Sequence, residues 1–282
     1  MSGSRRLLVS TLLFLGSYTL AHADVGGRDE KQQNLSAVVF GASGATGRQV
    51  VSELLAAPSV WGRVVTVSRS PMSAVLPSSL SSTGNLEEII VDNMEKDLTS
   101  IPPVSAVFNC LGTTRGAAGS AEAFVAVEVG LSRYATRLAE QAGVLHISAV
   151  AAEGAKSDVP VPGFLTARSL VAAEAGRDDS YLMNLGALHP LLYMRTLGQK
   201  ADLIANSTVP SRSVFAPGML NRLTNDRLWE NVVNALNIGL SVNTLARAMV
   251  KDAEDALLAR EGECADTRVY SSNKVIEAYA NA

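Results

Sequence analysis

Three glycines at a spacing of three, Gly41, Gly44 and Gly47, stand between an apolar run and a helical pattern. Before them, Leu35-Ser-Ala-Val-Val-Phe40 is short, β-branched and apolar on both faces, as a buried parallel strand must be. After them, Val50, Val51, Leu54 and Leu55 recur at helical spacing. In that setting Gly41 permits a tight turn, Gly44 lets main-chain N–H groups approach a pyrophosphate, and Gly47 lets helix and strand pack closely. Gly41, Ser43, Gly44, Ala45, Thr46 and Gly47 are therefore read as a cradle for a dinucleotide. The alternative, a glycine-rich connection that binds nothing, is disfavoured by the strand and helix that flank it.

Residues further along the chain refine that ligand. A second strand, Arg63-Val-Val-Thr-Val67, ends in Ser68-Arg69 where an acid would otherwise accept hydrogen bonds from a ribose 2′-hydroxyl. An arginine there suits a 2′-phosphate, so NADP (as NADPH) is favoured over NAD; the alternative is a solvated surface arginine. A third strand, residues 87–91, leads to Asp92, which suits either the adenine amino group or the cap of the next helix. A fourth, Ala106-Val-Phe-Asn-Cys-Leu111, runs into Gly112-Thr-Thr-Arg-Gly116. A helix follows, with Phe124, Val127, Leu131, Tyr134, Leu138 and Ala142 at helical spacing and Gly143 at its end, before a fifth strand, Val144–Ser148. Strands alternating with helices predict an α/β fold with a Rossmann-type doubly wound parallel sheet. Cys110, inside an apolar strand, reads as an inert buried residue rather than a reactive thiol.

The elements that hold these residues need a full core, and 282 residues with 47% hydrophobic content provide one. A net charge of −3 disfavours a nucleic-acid partner. Two cysteines and three histidines, His22, His146 and His189, have no ligand-like spacing, so no metal, haem or disulfide framework is expected. Residues 1–23 read as a targeting segment: Arg5-Arg6, an apolar run to Ala21, then Ala21-His-Ala23. A secretory signal (ER route) is the preferred reading, with a mitochondrial or plastid presequence as the alternative. The run is too short and too interrupted to span a membrane, so no transmembrane helix is expected in the mature chain. Asn34 and Asn206 would be glycosylation acceptors only on the secretory route. Residues 24–34 read as a polar linker.

Four runs carry a family likeness. Gly-Ala-Ser-Gly-Ala-Thr-Gly (41–47), Cys-Leu-Gly-Thr-Thr-Arg-Gly (110–116), Val214-Phe-Ala-Pro-Gly218 and Ser241-Val-Asn-Thr-Leu-Ala-Arg-Ala-Met249 together resemble the Tat-interacting oxidoreductase group of atypical short-chain dehydrogenases. The likeness runs from about Ser36 to the end and rests chiefly on the 110–116 run. It implies one NAD(P)-binding domain, residues 35–282, with a small carboxy-terminal helical substrate lobe, bound NADPH and a poorly defined substrate. It further implies that Leu111, Gly112 and Thr113 border the adenosine ribose and diphosphate, and that Pro217 and Gly218 border the nicotinamide side.

The departures from the family matter as much. Members with intact chemistry place a serine just after strand five to hold a substrate carbonyl, and a Tyr-x-x-x-Lys helix to protonate it. Here the matching serine positions are Ala151 and Ala152, the best tyrosine is Tyr193, and its lysine position is Leu197. Arg195 lies about 200° around the helix, and Lys200 sits about 10.5 Å along its axis. Without a nearby cation the phenol keeps a pKa of about 10, poorly matched to acid–base work at neutral pH. Ser148 reads as a strand residue satisfied by backbone contacts rather than as a displaced anchor. Residues 156–192 form an insertion with the apolar residues Phe164, Leu165, Leu170 and Val171, in the place of a lid or a docking surface for protein partners. Beyond it, Leu228, Val232, Val233, Leu236 and Leu240 form one helical stripe, and Leu245, Met249, Ala253 and Leu257 another. The expectation is an NADP(H)-binding accessory protein with a degenerate Ser/Tyr/Lys set and little turnover. The alternatives are an active NADPH-dependent oxidoreductase using Tyr193, and a scaffold whose cleft binds nothing.

Overall fold

The computed structural model describes residues 34–159, 189–222, 239–258 and 267–282. The targeting segment, most of the 156–192 insertion, the stripe from Leu228 to Leu236, and Cys264 lie outside the described residues. Seven strands form one sheet: β1 (Leu35–Phe40), β2 (Trp61–Ser68), β3 (Leu86–Ile90), β4 (Ala106–Asn109), β5 (His146–Val150), β6 (Ser211–Ala216) and β9 (Thr267–Ser271). Their order is β3-β2-β1-β4-β5-β6-β9 and every pairing is parallel. The expected doubly wound sheet is therefore present, and its order reverses between β1 and β4. A ligand crevice belongs at that point, outside the carboxyl ends of the strands. Two short strands, β7 (Leu220–Asn221) and β8 (Leu240–Ser241), pair separately, so Leu240 belongs to a strand and not to a helical stripe.

Because side chains alternate along a strand, each central strand feeds two cores. Ala37 and Val39 of β1 join one apolar cluster while Val38 and Phe40 join the other. Likewise, β4 sends Ala106 and Phe108 one way and Val107 the other. The first cluster is covered by α1 (Ala45–Ala56), through Val50, Val51, Leu54 and Leu55. The second is covered in part by Met94 of the short helix α3 (Met94–Asp97); the turns α2 (Ser78–Ser81) and α4 (Arg115–Ala118) are equally short.

A longer helical run contributes to the second cluster. It comprises α5 (Ala121–Val125), a π-helical turn over Ala126–Leu131, and α6 (Ser132–Gln141), which buries Ala135, Leu138 and Ala139. The α7 helix (His189–Ala205) adds Ile204 to the same cluster. On the opposite face, α8 (Val242–Leu258) carries the expected Leu245, Met249 and Ala253 stripe, and α9 (Asn273–Ala280) adds Ile276. These two described helices share one apolar cluster with α1. No described helix is long and apolar enough to cross a membrane.

The boundaries of β4 and β5 differ from the sequence reading in ways that a local hydrogen bond explains. β4 ends at Asn109, not Leu111, because Asn109 Oδ1 accepts a hydrogen bond from the Leu111 N–H at 3.2 Å and turns the chain. β5 starts at His146, not Val144: Gly143 takes φ +67°, and the Val144 N–H bonds the Ala139 carbonyl, closing α6. The strand then runs on to Val150, which places Ser148 well inside it. Its fully buried Oγ has no hydrogen-bond partner among the described residues, contrary to the expectation that the backbone would satisfy it.

At the amino end of β5 and β6 lies a buried polar knot. The His146 ring is fully buried, its Nδ1 is 2.9 Å from Ser211 Oγ, and its Nε2 is 3.5 Å from Asp252 Oδ2. Asp252 Oδ1 also accepts from the Tyr270 hydroxyl at 2.7 Å and pairs with Arg268 at 3.2 Å. Burial, helped by the Arg268 charge, pushes the His146 pKa down to about 3, so the folded ring stays neutral while the unfolded one titrates at about 6.5. Burial raises the Asp252 carboxyl, which acts in the opposite sense. Stability should therefore fall as pH drops from about 6.5 towards 5, with a slope near 1.4 kcal/mol per pH unit from this one proton. Urea unfolding at several pH values should show that slope, and His146→Gln, although less stable at pH 7, should flatten it.

Candidate functional site

Parallel strands deliver all their following loops to one edge of the sheet, and the predicted site residues gather there. The loop after β1 is built by close approach. Gly41 takes φ +71°, and a Cβ on it would lie 2.8 Å from the Cys110 carbonyl oxygen. A Cβ on Gly47 would overlap the Gly41 carbonyl. The Gly41 N–H is pinned to the Val67 carbonyl at 3.1 Å, and the Gly44 N–H closes the turn on the Gly41 carbonyl at 3.0 Å. The α1 helix starts at Ala45 with no side-chain cap and no acid in its first turn. Its opening amides are thus left for an outside acceptor, and the helix dipole favours an anion there. A cradle that side chains would fill, facing an uncapped helix, fits a dinucleotide's pyrophosphate. Ser43, Thr46 and Ala45 line the same turn, each half-buried.

The neighbouring loops sort the remaining candidates. Arg69 follows β2 and is exposed. Asp92 follows β3 and is also exposed, but it does not cap α3; Asn93 does, accepting from the Lys96 N–H at 3.2 Å. Sequence reasoning passed over Arg48, directly after the glycines. It is half-buried in the first turn of α1, and its Nε has no hydrogen-bond partner among the described residues.

The loop after β4 is held from below. Lys200, 1% exposed, donates to the Leu111 carbonyl and pairs with Glu128 at 3.1 Å. Glu128, on the π turn, accepts the Thr113 N–H at 2.7 Å. A Cβ on Gly112 would sit 3.2 Å from the same carboxylate. Sequence reasoning missed Glu128, because a charged residue on a helical pattern reads as surface and nothing in a pattern announces a π turn. Cys110 is partly buried, and its thiol is pushed up to about 12 by burial despite the nearby Lys200 charge, in keeping with an inert role.

Tyr193 lies on α7, half-buried and stacked on Phe124 with ring centroids 6.0 Å apart. Leu197, four residues on, is 4% exposed. Lys200 points into the β4 loop contacts just described. Burial raises the Tyr193 pKa and the Glu128 charge raises it further, partly offset by Arg222. Both leading influences act against proton donation. After β5, Ala151 and Ala152 are buried, and the Ala151 N–H bonds the Phe215 carbonyl at 2.8 Å. The Glu153 N–H bonds the Pro217 carbonyl at 2.9 Å, while the Gly218 N–H donates to Asn273 Oδ1 at 3.0 Å. The Pro217–Gly218 turn is therefore fixed by Glu153 and Asn273, a pairing across 55 residues that no local pattern reveals.

A separate groove of about 880 Å³ lies between the π turn, α6 and α7, lined among others by Val129, Arg133, Arg137, Asp202 and Ser157. It contains none of the glycine-loop residues.

The contact at Gly47 can be measured directly. Gly47→Ala should cost about 2 kcal/mol through overpacking, or about 4–8 °C in Tm for a domain of this size. Gly116→Ala, where the added methyl meets nothing within 4 Å, should leave Tm almost unchanged. Circular dichroism melts of both variants check the contrast.

The chain matches no protein-family model. Among curated proteins it is similar to fmp-52, mitochondrial, of Neurospora crassa, at 30% identity over 213 residues that span 65% of this chain and 87% of the relative. It is 32% identical over 131 residues to fmp52-1, mitochondrial, of Aspergillus terreus, spanning 45% of this chain and 54% of that one, about half the relative's length. It is 28% identical over 127 residues to HTATIP2 of Rattus norvegicus, spanning 45% and 51%. Among solved structures, MoeE5 in complex with UDP-glucose and NAD superposes with a TM-score of 0.50 at 18% identity, covering 87% of this chain and 81% of that one. WbmF of Bordetella bronchiseptica in complex with NAD+ gives 0.55 at 11%, covering 89% and 78%. At such identities the structures share the fold. With the glycine loop, the 110–116 run and the identity to fmp-52 all in agreement, the chain belongs to the FMP52 and HTATIP2 (Tat-interacting) group of atypical short-chain dehydrogenases, built on an NAD(P)-binding Rossmann fold.

Proposed function

We propose that this protein binds NADP(H) and serves as a nucleotide-binding or accessory subunit with little turnover. The observation that carries the binding reading is the uncapped start of α1 behind a glycine loop whose Cβ positions are sterically closed. In this reading Gly41, Ser43, Gly44, Ala45, Thr46 and Gly47 take the pyrophosphate, and Leu111, Gly112 and Thr113 lie along the adjoining ribose. Asp92 meets the adenine, and Pro217 and Gly218 border the nicotinamide. Arg69 takes the 2′-phosphate, with Arg48 close behind the phosphate loop. NAD in the MoeE5 and WbmF complexes supports a nicotinamide dinucleotide as the ligand class; the preference for NADP rests on Arg69. The bound dinucleotide would supply or accept a hydride.

Loss of turnover is supported by three features: Leu197 at the lysine position, Ala151 and Ala152 at the serine positions, and the raised Tyr193 pKa. The rival reading, an NADPH-dependent carbonyl reductase using Tyr193, is favoured by the half-buried stacking of that ring against Phe124. Residues 35–282 act as one domain. The 156–192 insertion is proposed as the route to protein partners, and the groove beside Ser157 supports that. The amino-terminal segment is proposed as a mitochondrial address; the mitochondrial names of the FMP52 relatives turn the choice away from the secretory reading.

Calorimetric titration should give tighter binding of NADPH than of NADH. Arg69→Ala should weaken NADPH about tenfold or more, the loss of one charge-assisted contact of about 1.5–3 kcal/mol, and leave NADH unchanged. Equal affinities in the wild type would remove the 2′-phosphate reading, and binding of neither would leave the scaffold reading. With a panel of carbonyl compounds, NADPH absorbance should not fall above background in either wild type or Tyr193→Phe. Steady consumption that this substitution abolishes would establish the reductase instead.

A further inference from the structure

Lys200 and Glu128 are both buried, come from two different helices, and meet beneath a single exposed residue, Gly112. In a trans peptide unit the C=O and N–H point in opposite directions. The Leu111 carbonyl turns inward to the Lys200 ammonium, so the N–H of the same unit, that of Gly112, turns outward. The Thr113 N–H turns inward to Glu128 at 2.7 Å, so the Gly112 carbonyl also turns outward. Glycine suits the position because a Cβ would crowd the Glu128 carboxylate at 3.2 Å. The ion pair thus fixes two successive peptide planes, and the residue between them offers both polar groups to the exposed side. Gly41 approaches this same loop, since a Cβ on Gly41 would lie 3.1 Å from the Leu111 nitrogen, so the exposed amide adjoins the glycine cradle. Glu128 is buried on the π turn itself.

We propose that Lys200 and Glu128 are positioning residues that present the Gly112 N–H to the ribose–diphosphate portion of the dinucleotide, tying the helix that carries Tyr193 to the cofactor loop. The assignment rests on the reading that residues 111–113 border the cofactor. It separates orientation of the loop from simple stability, because the two respond differently to substitution. Removing one partner strands a buried charge, whereas neutralising both relieves that cost.

The test is calorimetric titration of the full-length chain with NADPH, paired with thermal melts. Lys200→Met should lower Tm and weaken NADPH at least tenfold. In Lys200→Met combined with Glu128→Gln, the glutamine can still accept the Thr113 N–H, and Tm should largely recover. The affinity should stay about tenfold weak, because the Leu111 carbonyl has no donor to hold it. Recovery of affinity together with Tm, or unchanged affinity in a folded Lys200→Met chain, overturns the proposal. Hydrogen exchange on the wild type gives a second readout that needs no variant: NADPH should slow exchange of the Gly112 amide, and an unchanged rate while NADPH binds overturns the proposal. A wild type that binds neither NADPH nor NADH would instead remove the underlying dinucleotide reading, and this assignment with it.

Discussion

The approach of α1 to the turn after β1 is the contact on which the rest of this site depends. At Gly47 the helix backbone lies so close to the Gly41 carbonyl that no side chain fits between them. That closeness aims the helix amino end at the point where the strand order reverses, and it leaves the first amides without a protein acceptor. The candidate residues in the loops after β2, β3, β4 and β6 are placed relative to that point by the parallel hydrogen bonding of the sheet, which sets each following loop along one edge.

The fold was legible because buried parallel strands write themselves as short apolar runs, and the runs around Val38, Val65, Phe108 and Ile147 are of that kind. Boundaries were less legible. Gly143 and Asn109 end or turn their elements through single hydrogen bonds that compete with continuing the strand, and apolar periodicity carries no record of that competition. The glycine loop could be read since glycine spacing reports backbone closeness. Glu128, Lys200 and the Glu153–Pro217–Asn273 grouping could not, because they depend on pairings between distant segments and, for Glu128, on a local change of helix type.

The knot around His146 shows the same sheet solving a different problem at its opposite edge. There polar groups are enclosed and face one another, with Asp252 taking up contacts from Tyr270 and Arg268. At the ligand edge, polar backbone is left unmatched. A doubly wound sheet can therefore be closed at one end while remaining receptive at the other, with the same strands running through both.

The π turn over Ala126–Leu131 has a consequence for chain length. Such a turn takes up one residue more than an α-helix would over the same rise. A version of this helix lacking a single residue there would wind as a plain α-helix and keep both flanking segments on their present faces, because the wider turn is what absorbs the extra residue. Loss of one residue within Ala126–Leu131 therefore leaves Phe124 and the buried Ala135 and Leu138 aligned as they are, whereas the same loss inside α6 would turn one part of that helix by about 100° against the other.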